Sequence, residues 1–333
     1  MSKFPLNVLE RCVYPFTVVE APDVILGAAF GEDVALTRVG NDILVSHLDP
    51  IVGAIARIGW LAVHVASNDI ATTGVAPRWL LLLVLVPSLE DEALVAQIMR
   101  DAGQAAAEVG AVIIGGHTGY SSGLSRPLVA VTALGVAVGH EPIRTGGANP
   151  GDHVLVTKGI ALEGTAILAE DFADVAQTLG LSGQELVEAR TLINEVSVVP
   201  EALALAQQGV TSMHDVTRGG LLESLLEMAY RSGVGIEVDM ARLPERPIVT
   251  RFAQAFHFDP WRMISSGTLV ATVPPGQVNA AGRALARLGL AFADLGRVVE
   301  GSGVYLQQNG RVQHCTEIQC ENDELARMWA RYR

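Results

Sequence analysis

The chain has 333 residues, half of them apolar, with 36 acidic and 23 basic side chains and a net charge of −13. That apolar content excludes a disordered chain, and a length above ~250 residues favours two cores over one. The acidic balance argues against nucleic acid as a partner, because phosphate backbones call for a basic face.

The longest apolar runs, Trp79–Val86 and Leu128–Gly139, are too short to cross a bilayer, which takes ~20 residues, so no membrane partner is expected. The N-terminus shows no apolar core followed by a small-residue cleavage site, and a cytoplasmic location is expected. Three cysteines, Cys12, Cys315 and Cys320, do not form a disulfide framework and are expected to be reduced. Only Lys3 and Lys158 are lysines, so Lys158 stands out.

In chain order, strands are predicted at 34–39 and 43–47 around the turn Gly40-Asn41-Asp42. A helix from Ile58 to about Ile70 follows, with Ile58, Leu61, Ala62, Val65, Ala66 and Ile70 on a single core face. The unbroken apolar run Trp79–Val86 predicts a strand buried on both faces, and Ser88 an N-cap for a helix reaching Val109. Ala111–Ile114 predicts a short strand entering a glycine turn at Gly115-Gly116, and Leu128–Val138 another strand. The segment Gly146–Asp152 collects turn formers and marks the domain boundary, giving domains 1–147 and 148–333.

Beyond it, strands are predicted at 154–157, 211–213, 234–238, 267–273 and 291–299. Helices are predicted at 164–179, 183–194, 200–208, 221–231 and 278–288, and Leu325, Met328, Trp329 and Tyr332 give the spacing of a docked C-terminal helix.

Acidic residues cluster where predicted elements end: Glu32 and Asp33, Asp49, and Asp69 on the inward stripe of its helix. A buried carboxylate needs a proton, a basic partner, amides or a metal, and magnesium takes carboxylates together with substrate phosphates. Each could also simply cap a turn or face solvent. The segments Gly115-Gly116-His117-Thr118 and Thr217-Arg218-Gly219-Gly220 could present backbone amides to an anion, the second at a helix N-terminus, or could be ordinary connections. Neither is a Walker A loop or a dinucleotide fingerprint. His64 reads as a hydrogen-bonded core histidine, whereas His117 and His214 are candidates for phosphate contact or proton transfer.

Taken in order, these segments resemble the AIR synthase (PurM) superfamily, which includes HypE, selenophosphate synthetase and thiamine-monophosphate kinase. Gly31-Glu32-Asp33-Val34-Ala35 resembles its G-D-D-A-A, and His47-Leu48-Asp49 stands in the place of T-T-D. Asn68-Asp69-Ile70-Ala71-Thr72-Thr73-Gly74 is similar to N-D-(I/L)-A-x-x-G, and Ile114-Gly115-Gly116-His117-Thr118 parallels G-G-D-T with His117 replacing the aspartate. Thr157-Lys158-Gly159 resembles the opening of the second domain, and His214-Asp215-Val216-Thr217-Arg218-Gly219-Gly220-Leu221 is close to the R-D-P-T-R-G-G-L of the HypE branch.

The resemblance implies a two-domain α+β fold whose N-terminal mixed α/β domain pairs through its sheet in a homodimer, followed by a C-terminal mixed α/β domain. It further implies ATP and Mg²⁺ as cofactors, with phosphoryl transfer activating an amide, a carbonyl or a small nucleophile. Glu32, Asp33, Asp49 and Asp69 would be metal ligands. Asn68, Gly115, Gly116, His117, Thr118, Thr217, Arg218, Gly219 and Gly220 would bind phosphate. Asp69, His214, Asp215 and Lys158 would be catalytic. The acceptor would be a small molecule or a protein, with maturation proteins as possible partners. Within the same fold a small-molecule kinase is the alternative, and a nucleotide-binding partner without turnover is another. The sequence closes on Trp329-Ala330-Arg331-Tyr332-Arg333 with no terminal cysteine, so self-modification of a terminal thiol is not expected, and Cys320 is expected to be inert.

Overall fold

The computed structural model describes residues 4–17, 21–52, 57–317 and 323–332. Cys320, with the expectation attached to it, lies outside the described residues. Two compact units emerge: residues 21–28 and 33–142 form the first, and residues 4–17, 29–32 and 143–332 the second. The second unit therefore draws on the N-terminal end, unlike the expected contiguous division after Gly147. Among the described residues, no helix is long and apolar enough to cross a membrane.

Two helices open the chain, α1 (Leu6–Cys12) and α2 (Tyr14–Thr17). The first unit is built on β1 (Val24–Leu26), β2 (Ala35–Val39), β3 (Asp42–Val52), α3 (Ile58–Thr72), β4 (Trp79–Val86), α4 (Glu92–Glu108), β5 (Val112–Tyr120) and β6 (Leu128–Ala137). Its six-stranded sheet has the order β1-β2-β3-β6-β4-β5. Gly40, at φ +63°, turns the β2–β3 hairpin as its position predicts. The second arm continues to Val52, so Asp49 sits within β3 rather than beyond its end.

Helix α3 packs against β3, β6 and α4, and all fifteen of its residues are buried. The predicted single core face thus becomes burial on every side. At Gly59 an added Cβ would lie 2.1 Å from the Ile98 carbonyl oxygen, so the α3–α4 crossing is a backbone-to-backbone approach.

Strand β4 buries Leu80, Leu82, Val84 and Val86 but leaves Leu81 37% exposed, which corrects the expectation of cover on both faces. On that second face Trp79, Leu83 and Leu85 are only half-buried. Ser88 is not the N-cap of α4; Asp91 is, and it accepts the Ser88 amide at 2.9 Å, closing the turn that precedes the helix.

The glycine turn expected after Ile114 is also absent. Residues Gly115 to Gly119 continue β5 as an extended strand, parallel to β4 at the edge of the sheet. Glycine permits that close pairing: a Cβ on Gly116, at φ +147°, would lie 1.9 Å from the Leu82 carbonyl oxygen.

The second unit contains β7 (His153–Thr157), α5 (Leu162–Asp171), α6 (Ala173–Thr178), α7 (Gly183–Thr191), α8 (Val199–Ala206), β8 (Ser212–Asp215) and α9 (Gly220–Ser232). It continues with β9 (Gly235–Asp239), α10 (Pro247–Phe256), β10 (Leu269–Val273), α11 (Val278–Arg287), β11 (Phe292–Val299), β12 (Gly303–Gln308), β13 (Arg311–Cys315) and α12 (Glu324–Tyr332). The seven-stranded sheet runs β13-β12-β9-β11-β7-β10-β8. One apolar cluster joins α9 to this sheet, and a second joins α5, α7, α10 and α12.

The helix predicted over 164–179 breaks at Phe172, whose φ of −125° leaves the helical region. Helix α10 and the β12–β13 hairpin have no counterpart among the predicted elements, although Asn309-Gly310, at φ +50° and +75°, is the dipeptide a tight hairpin favours. The docked C-terminal helix is present, with the Trp329 and Tyr332 rings 4.8 and 6.5 Å from Phe172.

Candidate functional site

In the first unit, the alternation of β3 sends His47 and Asp49 to the side of buried Ile43 and Val45, and exposes Leu48. The His47 ring links two acidic positions. Its Nδ1 is in contact with the Asp33 carbonyl oxygen, and its Nε2 lies 3.1 Å from Asp69 Oδ2. Asp69 is 5% exposed and Asn68 fully buried, both near the C-terminal end of α3, where the Thr72 hydroxyl donates to the Asp69 carbonyl at 2.7 Å. The structure therefore brings Asp33 and Asp69 together through a histidine that the residue-by-residue reading did not select. The available signal was its position two residues before Asp49, on the same face of the strand.

Glu32 departs from this group. It belongs to the second unit, where its carboxylate is 3% exposed and meets Arg231 Nε at 3.0 Å. A guanidinium balances the charge that a metal was expected to balance.

His64 is the core histidine expected. Its Nε2 lies 2.9 Å from Glu108 Oε2, to which the Trp60 indole also donates at 2.8 Å. Partial burial works to raise the Glu108 carboxyl, but hydrogen bonds from Gln104, His64 and Trp60 outweigh it and hold the group below its ordinary range. Gly115, Gly116, His117 and Thr118 lie exposed along edge strand β5, not in a loop that wraps an anion.

In the second unit, β8 carries His214 and Asp215 into the interior, at 1% and 0% exposure. His214 Nε2 lies 2.9 Å from Glu227 Oε2 on α9, and its Nδ1 lies 3.9 Å from Asp215 Oδ1. Neither Asp215 carboxylate oxygen receives a hydrogen bond from the described residues. A fully buried carboxylate in that condition is costly as an anion; the role expected of this pair is catalytic, with His214 in phosphate contact or proton transfer.

The turn after β8 opens α9 through Gly219 and Gly220, at φ +81° and +67°. A Cβ on Gly220 would lie 2.4 Å from the Trp261 carbonyl oxygen, so only glycine fits. The expected anion site at this helix start is already lined by acid. Arg218 Nη1 bonds Asp323 Oδ2 at 2.6 Å, and the Glu223 carboxylate folds back over Gly219. A phosphate at the turn would compete with Asp323 for Arg218.

Lys158, singled out for chemistry, is placed differently. It follows β7 at φ +60°, is 5% exposed, and spends its ammonium on three oxygens: Glu201 Oε1 at 2.6 Å, the Ser197 carbonyl at 2.6 Å and the Glu195 carbonyl at 3.1 Å. Three donors meeting three acceptors leave none for a substrate. Burial pushes the Glu201 carboxyl up, and Lys158 opposes that shift. The position is structural, and Glu201, its buried partner, carried no sequence signal.

Comparison with known proteins finds two family domains in the chain. Residues 31–137 match the N-terminal domain and residues 149–309 the C-terminal domain of AIR synthase related proteins. The chain is 30% identical over 262 residues to carbamoyl dehydratase HypE of Bradyrhizobium diazoefficiens, spanning 75% of this chain and 71% of that one. It is 32% identical over 236 residues to selenide, water dikinase of Nitratidesulfovibrio vulgaris, spanning 69% and 64%. A solved hydrogenase maturation protein HypE in complex with ATP superposes with a TM-score of 0.73 at 21% identity, covering 95% of each chain. Thiamine-monophosphate kinase from Stenotrophomonas maltophilia superposes with a TM-score of 0.71 at 22% identity, covering 94% and 99%. With both domain matches in order and the HypE likeness spanning most of each chain, the protein belongs to the AIR synthase-related (PurM) family and has its two-domain α+β fold.

Proposed function

We propose that this protein is an ATP- and Mg²⁺-dependent enzyme of the HypE type, which activates an amide, carbonyl or small nucleophile by phosphoryl transfer. The observation that carries the reading is the group of Asp33, His47 and Asp69, with Asp49 on the same strand face. It is supported by the names of the relatives, carbamoyl dehydratase and selenide, water dikinase, and by the ATP-bound HypE with the same fold.

Asp33, Asp49 and Asp69 would hold Mg²⁺, whose charge offsets that of the phosphates. Asn68 would orient a phosphate oxygen, and Thr217 and Arg218 would bind phosphate once Asp323 is displaced. Asp215, buried without a hydrogen-bond donor among the described residues and 3.9 Å from His214, would hold or pass a proton.

Melting with and without Mg·ATP tests the reading. At a hundredfold excess over Kd, ATP should add about 2.7 kcal/mol to apparent stability. The gain should require the divalent ion and disappear in Asp69→Asn. Melting unchanged by saturating Mg·ATP would defeat the proposal.

The acceptor is a small molecule or a protein; a solved HypE–HypF complex supports the protein reading. The likeness to thiamine-monophosphate kinase favours a second reading, a small-molecule kinase, which product analysis separates because a kinase leaves ADP and a phosphorylated small molecule.

We place the enzyme in the cytoplasm and propose that it works as a homodimer through the first unit's sheet. Strand β5 is an open edge that exposes Val112, Ile114 and Tyr120 by 55–61%, and the β4 face beside it exposes Leu81. A second copy would cover both features. Light scattering at micromolar protein should give twice the chain mass; a monomer would refute the dimer.

A further inference from the structure

A recess lies entirely within the second unit, and its lining does not include His214 or Asp215. It encloses about 520 Å³, within the range of small-molecule sites, between the 240–246 segment, α10, the 259–262 turn and the β12–β13 hairpin. Leu222, Leu243, Val249, Trp261 and Leu306 are among its lining residues, together with charged and polar side chains.

Two guanidiniums enter it, and their hydrogen-bond accounts differ. Arg246 donates from Nε to the Lys158 carbonyl at 2.7 Å and pairs with Glu195. The Arg262 guanidinium makes no hydrogen bond among the described residues; of Arg262 only the backbone amide does, to the Asp259 carbonyl at 3.1 Å. The nearest carboxylate, Asp259 Oδ2, stands 3.9 Å from its Nε, beyond hydrogen-bond reach, although the Arg262 side chain is only 25% exposed. The other oxygen of Asp259, Oδ1, accepts the Trp261 amide at 3.0 Å.

The recess therefore combines in its lining a guanidinium with donors to spare and several apolar side chains. Carboxylates also line it, but Glu245 is exposed and the Asp259 side chain is 48% exposed, so both can stay turned to water. We propose that the recess binds a small organic oxyanion, an apolar or aromatic body bearing one carboxylate or phosphate, with the oxyanion on Arg262 and the body against Trp261 and Leu306. The planar fork of Arg262 suits either head group. The recess shares a wall with the α9 turn, because Leu222 lines it and donates its amide to the Trp261 carbonyl at 3.0 Å. Binding does not depend on the ATP reading and is measured without nucleotide.

The test uses the full chain with benzoate, phenyl phosphate and neutral benzyl alcohol, followed by saturation-transfer NMR and thermal shift. The two anions should bind and benzyl alcohol should not, and the stronger anion identifies the head group. Arg262→Gln should weaken binding about tenfold or more, as loss of a charge-assisted hydrogen bond implies. Asp259→Asn, which keeps an acceptor for the Trp261 amide, should tighten it. Should Arg262→Gln fail to fold, Thr250→Trp, at an exposed position on the rim, should block entry and abolish binding. Equal binding of benzyl alcohol and the anions, no binding of any probe, or an affinity untouched by both Arg262→Gln and Thr250→Trp would overturn the proposal. Weaker anion binding in Asp259→Asn would also overturn it, because that outcome points to a zwitterion or a cation.

Discussion

The chain uses the pair Gly-Gly for two opposite purposes. At Gly115-Gly116 the backbone stays paired within a strand, lies exposed at the edge of a sheet, and needs glycine at Gly116, at φ +147°, so that β5 can approach β4. At Gly219-Gly220 the backbone turns through positive φ, is buried, and needs glycine so that α9 can begin against the Trp261 carbonyl. Identical dipeptides therefore give no common phosphate loop: one lies inside strand β5 and the other follows strand β8. What the glycines make room for is decided by the neighbouring chain.

The largest expected effect breaks the buried turn. Gly220→Ala should destabilise the protein by about 3 kcal/mol or more, combining overpacking with an unfavourable left-handed conformation, and urea unfolding should show a loss across the whole second unit. In the exposed strand the effects should be local and unequal. Gly116→Ala should cost about 2 kcal/mol and speed hydrogen exchange in β5, whereas Gly115→Ala, whose Cβ would meet only Leu81 Cδ2 at 3.4 Å, should cost under about 1 kcal/mol. Equal losses at Gly115 and Gly220 would erase the contrast.

A smaller effect sharpens it from the electrostatic side. Asp323→Asn keeps an acceptor for the amides of α12 but removes the charge that faces Arg218, and should cost about 1–2 kcal/mol in melting experiments. Around Gly115 the strand faces solvent, and no ion pair is seen at Gly115–Gly119 among the described residues.

The smallest effect is acid dependence in the first unit. The Glu108 carboxyl sits below its ordinary value of 4.5 when folded, so its contribution is present above that value and is lost as pH falls through the lowered folded value. Glu108 is 40% exposed in its side chain, which limits the term to about 1 kcal/mol at most. Glu108→Gln should flatten stability against pH below that point; an unchanged acid limb would remove the assignment.

Much of the architecture was legible in periodicity. The runs 79–86, 128–138 and 221–231 appear as β4, β6 and α9 with ends shifted by a residue or two, because their burial follows their own apolar spacing. Helix α10 was not, although Ile248, Val249, Phe252 and Phe256 form its buried stripe: it follows a proline-rich stretch that reads as loop. At the site, Asp69 was found because a carboxylate on an apolar stripe is conspicuous. His47 was missed because a histidine in a half-exposed strand is ordinary until Asp33 and Asp69 arrive on either side of its ring.

The sequence by itself determined the family, the strongly periodic elements and the residues whose chemistry is out of place in a core, because these depend on local spacing and on the cost of burying charge. Only the tertiary structure decided which partner answers each charge. Glu32 found Arg231, Lys158 found Glu201, Arg218 found Asp323, and Asp215 found no hydrogen-bond donor among the described residues. Ion pairing depends on a few ångströms of separation between side chains far apart in the chain, and no local pattern encodes that distance.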